Sequence, residues 1–198
     1  VALLRDFAEK HRFAEFFEKE AAYFAVVEAR LVATLSLRDN AAWAESFFGE
    51  RPRASFHGHI GLLNGPNNYG PSVAFPDGRE EFHQILGTWQ HDADRVPEFP
   101  ASIVPIAVHE HCHAFVNPVV EKHWKMLELA ANRLFAIVET RMRRQAYASA
   151  KTMIDESIVR ASVVRYVARF ENAQALNQET DAQVARGFLW TRELSDVL

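Results

Sequence analysis

The stretch Ile103-Val104-Pro105-Ile106-Ala107-Val108-His109-Glu110-His111-Cys112-His113-Ala114-Phe115-Val116 decides how the rest of the chain is read. Its apolar residues recur closely enough to form a buried helix. Set into that helix is His-Glu-x-x-His, with His109 and His113 one turn apart. At about 100° per residue the two imidazoles lie roughly 40° from one another, so both can face one metal ion. Glu110 lies on the adjoining flank, placed to take a proton from a water that the metal polarises. His111 points away from His109, and Cys112 reads as a small buried packing residue.

Working outward, the spacing predicts that Asn117-Pro118 ends this helix, because the residue before a proline avoids helical dihedrals. Pro118 then opens a second helix through Trp124, Leu127, Ala131, Leu134, Val138 and Met142. Arg141, Arg143 and Arg144 fall near its C-terminus, where cations complement the helix dipole. A third helix carries Ile154, Ile158, Ala161, Val164 and Ala168 on one face, and Phe188-Leu189-Trp190 forms a last packing segment.

Upstream, residues 51–100 are crowded with turn formers, notably Asn64 to Pro71 and Pro76-Asp77-Gly78. Between them Ala54–Leu63 and Pro71–Phe75 read as strands and Phe82–Leu86 as a strand or helical turn, giving one small, mostly antiparallel sheet. Residues 1–50 read as helical. Phe13, Phe16, Phe17, Phe24, Val27, Leu31 and Leu35 recur at steps of three, four and seven, and such a stripe is expected in the core. That helix stops near Arg38-Asp39-Asn40, and a short one follows through Trp43, Phe47 and Phe48 to Gly49. The fold class is therefore α+β and mainly helical, in a single domain spanning residues 1–198, with a small sheet beside the His-Glu-x-x-His helix.

Composition narrows the function. A formal charge of -4 is not the basic footprint of a nucleic-acid binder. No run of about 18 apolar residues suggests a membrane span. A single cysteine excludes an internal disulfide. The chain begins with Val rather than Met, which reads as a chain processed or trimmed at its start, with any export signal already removed, and tilts the expectation toward an exported protein.

A catalytic zinc takes three protein ligands and keeps one position open. The residue six beyond His113 is Val119, so a third histidine at that spacing is absent. Glu121, Glu128, Glu139 and Glu156 are the candidate carboxylates on later helical sequence, and His123 is a further alternative. Glu156 is favoured because it starts an apolar helix that must face the core, with Glu139 next. Tyr166, ten residues beyond Glu156 and on the same side, is a candidate donor to an oxyanion. Arg160, one turn on, either binds a substrate carboxylate or braces Glu156. Tyr69 and Val73, in the edge segment Tyr69–Phe75, are candidates for pairing with an extended peptide.

His-Glu-x-x-His followed at a distance by a helical Glu resembles the gluzincin branch of zinc metallopeptidases. The segments Val108–Pro118 and Glu156–Ala161 also resemble a bacterial zincin-like domain family of unknown function, typically exported, over most of the chain from about Asn64. The resemblance implies Zn²⁺ held by His109, His113 and Glu156, Glu110 as general base, and hydrolysis of a peptide or protein substrate. It departs from the gluzincin pattern where Arg160 stands in place of an Asp that orients a zinc ligand, which leaves that role to Asp155 or a backbone carbonyl. Two other functions fit the same residues: a non-catalytic zinc or binding module, and a zinc amidase acting on cell-wall material.

Overall fold

The computed structural model describes residues 1–198 as eight helices and one three-stranded sheet. The helices are α1 (Ala2–Lys10), α2 (Phe13–Lys19), α3 (Ala21–Leu35), α4 (Asn40–Phe48), α5 (Ile103–Arg144), α6 (Ala150–Phe170), α7 (Ala173–Arg186) and α8 (Thr191–Val197); the strands are β1 (Ala54–Gly61), β2 (Ser72–Ala74) and β3 (Glu80–Gly87). The architecture is α+β and mainly helical. No helix is long and apolar enough to cross a membrane.

The scaffold is α5 with α6 folded back over it. Val104, Val108, Cys112, Val116 and Val120 form an i,i+4 stripe along α5, buried against Val159, Val163, Tyr166 and Val167 of α6. Further along, Ala131, Phe135, Val138 and Met142 close over Ala150, Met153 and Phe188. Ser149 caps α6, its Oγ accepting from the Thr152 amide at 3.1 Å. Asn172 caps α7 in the same way at 2.9 Å, so the sequence after Phe170 is a helix that apolar periodicity alone does not reveal.

α5 does not break at Pro118, contrary to the sequence expectation. Proline removes the amide that would bond to the Ala114 carbonyl four residues earlier. Arg51 supplies the missing donor: its Nη1 donates to the Ala114 oxygen while its Nη2 pairs with Glu80. The guanidinium also lies over the Phe82 ring, 4.8 Å from the centroid. A side chain outside the helix thus satisfies the acceptor that the proline orphans, and it ties the helix to the sheet.

The sheet order is β1-β3-β2, and it is mixed rather than mostly antiparallel. β1 and β3 run parallel in the register Ala54↔Glu80 to Gly61↔Gly87, whereas β2 is antiparallel to β3. Parallel neighbours need a long connection. Residues 62–79 provide it, and within them β2 pairs on the far side of β3. One face of the sheet buries Phe82 against Ala114 and Phe115, and Leu86 against Ile103 and Ala107. Gly87 has no alternative, since a Cβ there would come within 2.1 Å of the Gly65 carbonyl oxygen.

The N-terminal stretch is three short helices instead of one. Arg12, at φ 53°, turns the chain between α1 and α2. Of the expected core stripe only Val27 and Leu31 are buried, under Leu86, Phe99 and Ile103. Phe13, Phe16 and Phe17 are 41–52% exposed and meet mainly one another and Phe24, because no other element lies across them.

Candidate metal centre

His109 and His113 project from one face of α5 toward α6, where Glu156 sits in the helix interior rather than at its start. The Nε2 atoms of the two histidines are 3.3 Å apart. Glu156 Oε2 lies 3.5 Å from His109 Nε2, and Oε1 lies 3.4 Å from His113 Nε2. Four ligands at 2.0–2.1 Å around a tetrahedral ion are separated by about 3.3 Å, so the two nitrogens already stand at that spacing and each carboxylate oxygen comes close to it from one of them. The set could hold a metal ion.

The three groups shift one another's titration. Burial pushes His109 down to about 3, which keeps its nitrogen lone pair available. Burial also works to raise Glu156, but the hydrogen bond with His113 and the Arg160 charge outweigh it and bring the carboxyl down to about 2. His113 is depressed by burial and lifted further by Glu156 and Asn117, so its net shift is upward. A carboxylate that stays ionised in a buried setting needs cations around it, and a metal would be one more.

Outer partners hold the three donors in place. Asn117 Oδ1 is 3.1 Å from His113 Nδ1; accepting that proton fixes the tautomer and leaves Nε2 free to ligate. This is the orienting role that the sequence reading gave to Asp155 or a backbone carbonyl. Asp155 pairs with Lys151 at 3.4 Å instead. Arg160 is buried, and both of its terminal nitrogens are engaged. It donates to Glu156 Oε2 at 2.9 Å, to Gln183 Oε1 at 2.8 Å and to the Tyr147 hydroxyl at 3.0 Å, and its guanidinium lies over Phe188. Of its two expected roles, the contact with Glu156 is the bracing one; its one unpartnered donor, Nε, is buried.

Tyr166 does not reach the centre. It is 1% exposed, donates to Asn40 Oδ1 at 2.6 Å and packs edge-on to Trp43. The α6 face that carries Tyr166 is the one buried against the valine stripe of α5, which helical spacing alone did not distinguish. The phenol beside the candidate ligands belongs to Tyr147, in the turn before α6. Burial raises its pKa, with the Glu156 charge adding to the effect, so the hydroxyl keeps its proton. Tyr147 carries no periodicity signal, and only the return of α6 over α5 brings it here.

The other acids and thiol go elsewhere. Glu139 pairs with Arg143 on the surface, Glu121 reaches Lys151, Glu128 and His123 are exposed, and Cys112 is fully buried in the valine stripe. The ligand set therefore stays at three.

Glu110 lines the same cleft as His109, His113, Asn117, Tyr147 and Glu156, with Asn68, Tyr69, Gly70 and Pro71 as the opposite wall. Burial raises the Glu110 carboxyl above its ordinary value. Gly70 passes so close that a Cβ there would lie 3.0 Å from Glu110 Oε2 and 3.2 Å from its carbonyl oxygen. The wall is an extension of the sheet. Tyr69 exchanges both backbone bonds with Ile85, at 3.0 and 2.8 Å, and the Pro71 carbonyl accepts from His83 at 2.9 Å. By the alternation of an antiparallel pair, the amide and carbonyl of Gly70 and Ser72 then point to the free edge. Tyr69 lines the cleft as expected. Val73 does not: its backbone faces Glu81 across the ladder and its side chain is exposed away from the centre.

No curated protein and no solved structure matches this chain. One family model does, described as a domain of unknown function (DUF4932), and its match covers residues 1–198. The chain that arranges two histidines and a glutamate in this way belongs to the DUF4932 family.

Proposed function

We propose that this chain is a zinc-dependent hydrolase of peptide bonds, with His109, His113 and Glu156 holding the ion and Glu110 moving the proton. The observation that carries the reading is an open three-donor set with a carboxylate beside it, in a cleft walled by a strand edge. A structural zinc site is normally closed by a fourth protein ligand, and it has no use for Glu110. When bound, zinc supplies Lewis acidity toward water and the scissile carbonyl oxygen.

The protein's own residues account for the remaining chemistry. An extended peptide pairs with the outward amide and carbonyl of Gly70 and Ser72, which lays its backbone past Glu110. Glu110 accepts a proton as the water oxygen bonds to the carbonyl carbon. It returns that proton to the amide nitrogen as the C–N bond breaks, leaving a carboxylic acid and an amine; the acid's remaining proton then passes to the amine. Its raised pKa suits a group that must both take and give a proton near neutrality. Tyr147, whose oxygen already accepts from Arg160, keeps its own proton to donate to the developing oxyanion. Arg160 and Asn117 are positioning residues, acting through Glu156 and His113.

The test is cleavage of a mixed peptide library by zinc-loaded protein in ¹⁸O-water, read by mass spectrometry. The expected products carry ¹⁸O in their new C-termini, and Glu110→Gln abolishes them while the zinc content stays the same. Zinc-loaded wild type that cleaves nothing, or a Glu110→Gln variant as active as wild type, would contradict the proposal.

A further inference from the structure

A second group of imidazoles lies outside the centre described above. On β1, His57 and His59 are two residues apart and so share one face; across the parallel ladder His57 stands directly opposite His83 of β3. Phe82 and Leu86 occupy the other, buried face, so the three histidines lie on the outer one. His57 and His59 are exposed and His83 is half-buried. The His83 ring is 5.1 Å from each of the other two. His59 Nε2 and His83 Nδ1 converge to 2.9 Å.

We propose that His59 and His83, joined by His57, form a second and weaker site for a borderline divalent transition-metal ion of the copper or zinc class. Neutral imidazole is the ligand these ions prefer. The converging pair needs to open by a few tenths of an ångström to reach the separation of about 3.3 Å that two ligands take on one tetrahedral ion. Glu81 Oε2 lies 3.7 Å from His83 Nε2, the nitrogen that does not face His59. A carboxylate on that side favours the Nε2–H tautomer and leaves the Nδ1 lone pair for the ion. Ser55 Oγ is 3.0 Å from His57 Nε2 and steadies the third ring. His57 is exposed, and joining the ion requires its ring to leave Ser55 and rotate inward. No residue is shared with the first centre. This one is also unlike it in kind, since it has no anionic ligand in direct reach of the converging pair and sits in solvent, so it fills second.

The test is a titration of wild-type protein carrying one zinc per chain with Cu²⁺, followed by calorimetry and by the nitrogen couplings in the electron paramagnetic resonance spectrum. One additional equivalent, coupled to two or three imidazole nitrogens, is expected. His59→Ala/His83→Ala should lose it with the first zinc retained, as should His59→Ala alone, and Glu81→Gln should weaken it by about 10-fold or more. Absence of a further equivalent would overturn the proposal. So would a further equivalent that persists unchanged in the double variant.

Discussion

The α5–α6 pair and the N-terminal helices α1–α3 are built from similar-looking sequence, yet they end in opposite environments. Both show apolar residues at steps of three and four. In the first, the valine stripe of α5 and its partners on α6 are buried almost completely. In the second, Phe13, Phe16 and Phe17 stay about half exposed, with neighbours drawn from the same short helices. Periodicity identifies a helix and its apolar face, but it does not say what will cover that face. α5 is covered because α6 returns over it within a few residues. α2 is followed by α3, which commits Val27 and Leu31 to the sheet side and leaves the phenylalanines uncovered.

This contrast can be broken by mutation. Met153→Ala removes a side chain with no exposure from between α5, α6 and Phe188, and should cost about 2–5 kcal/mol in denaturant unfolding. A loss below about 1 kcal/mol would mean that the α5–α6 pair is not the stable half. Arg51→Met keeps the apolar stem but leaves the Ala114 carbonyl without a donor, at about 1–3 kcal/mol. Hydrogen exchange should then quicken in α5 around Pro118; unchanged exchange would show that Arg51 is not what carries the helix past the proline.

A smaller effect is expected where the N-terminal region is tethered. Arg30 Nη2 donates to Asp92 at 2.7 Å and Nη1 to the Pro97 carbonyl at 3.1 Å, joining α3 to the turn after the sheet. The hydrogen bond from Arg30 holds the Asp92 carboxyl below its ordinary 3.8. A depressed pKa means the tether contributes above pH 3.8 and is lost as pH falls through the lower folded value. Limited proteolysis of residues 1–35 should therefore accelerate below pH 3.8 and not between pH 7 and 5, and Asp92→Asn should remove that pH step. The smallest effect belongs to Phe16→Ala. With the ring half exposed, its cost should stay within about 0.5 kcal/mol, as for other surface changes. A loss as large as that of Met153→Ala would show that the aromatic cluster is a true core.

The same distinction separates what the sequence discloses about the centre from what it hides. His109, Glu110 and His113 are legible because their relation is local, fixed by helical geometry alone. Glu156 is legible at one remove: a carboxylate on an apolar helix needs a reason to be buried. Asn117 lies one turn from His113 and could have been read from that spacing, had Pro118 not suggested that the helix ends there. Tyr147, Arg51 and the free edge at Gly70 depend on how separate elements meet, and nothing in their own neighbourhoods marks them. Tyr166 shows the reverse error, since helical phase placed it near Glu156 while tertiary packing turned it to Asn40.

The central claim is that His109, His113 and Glu156 form one metal site. Its most direct test is the zinc content of purified wild type and Glu156→Ala, after reconstitution and removal of loosely bound ion against a weak chelator. One retained zinc per chain is predicted for wild type. Its affinity should fall in Glu156→Ala by more than the 10–100-fold that loss of an outer partner costs. Wild type without zinc, or equal retention by the two proteins, would contradict the account.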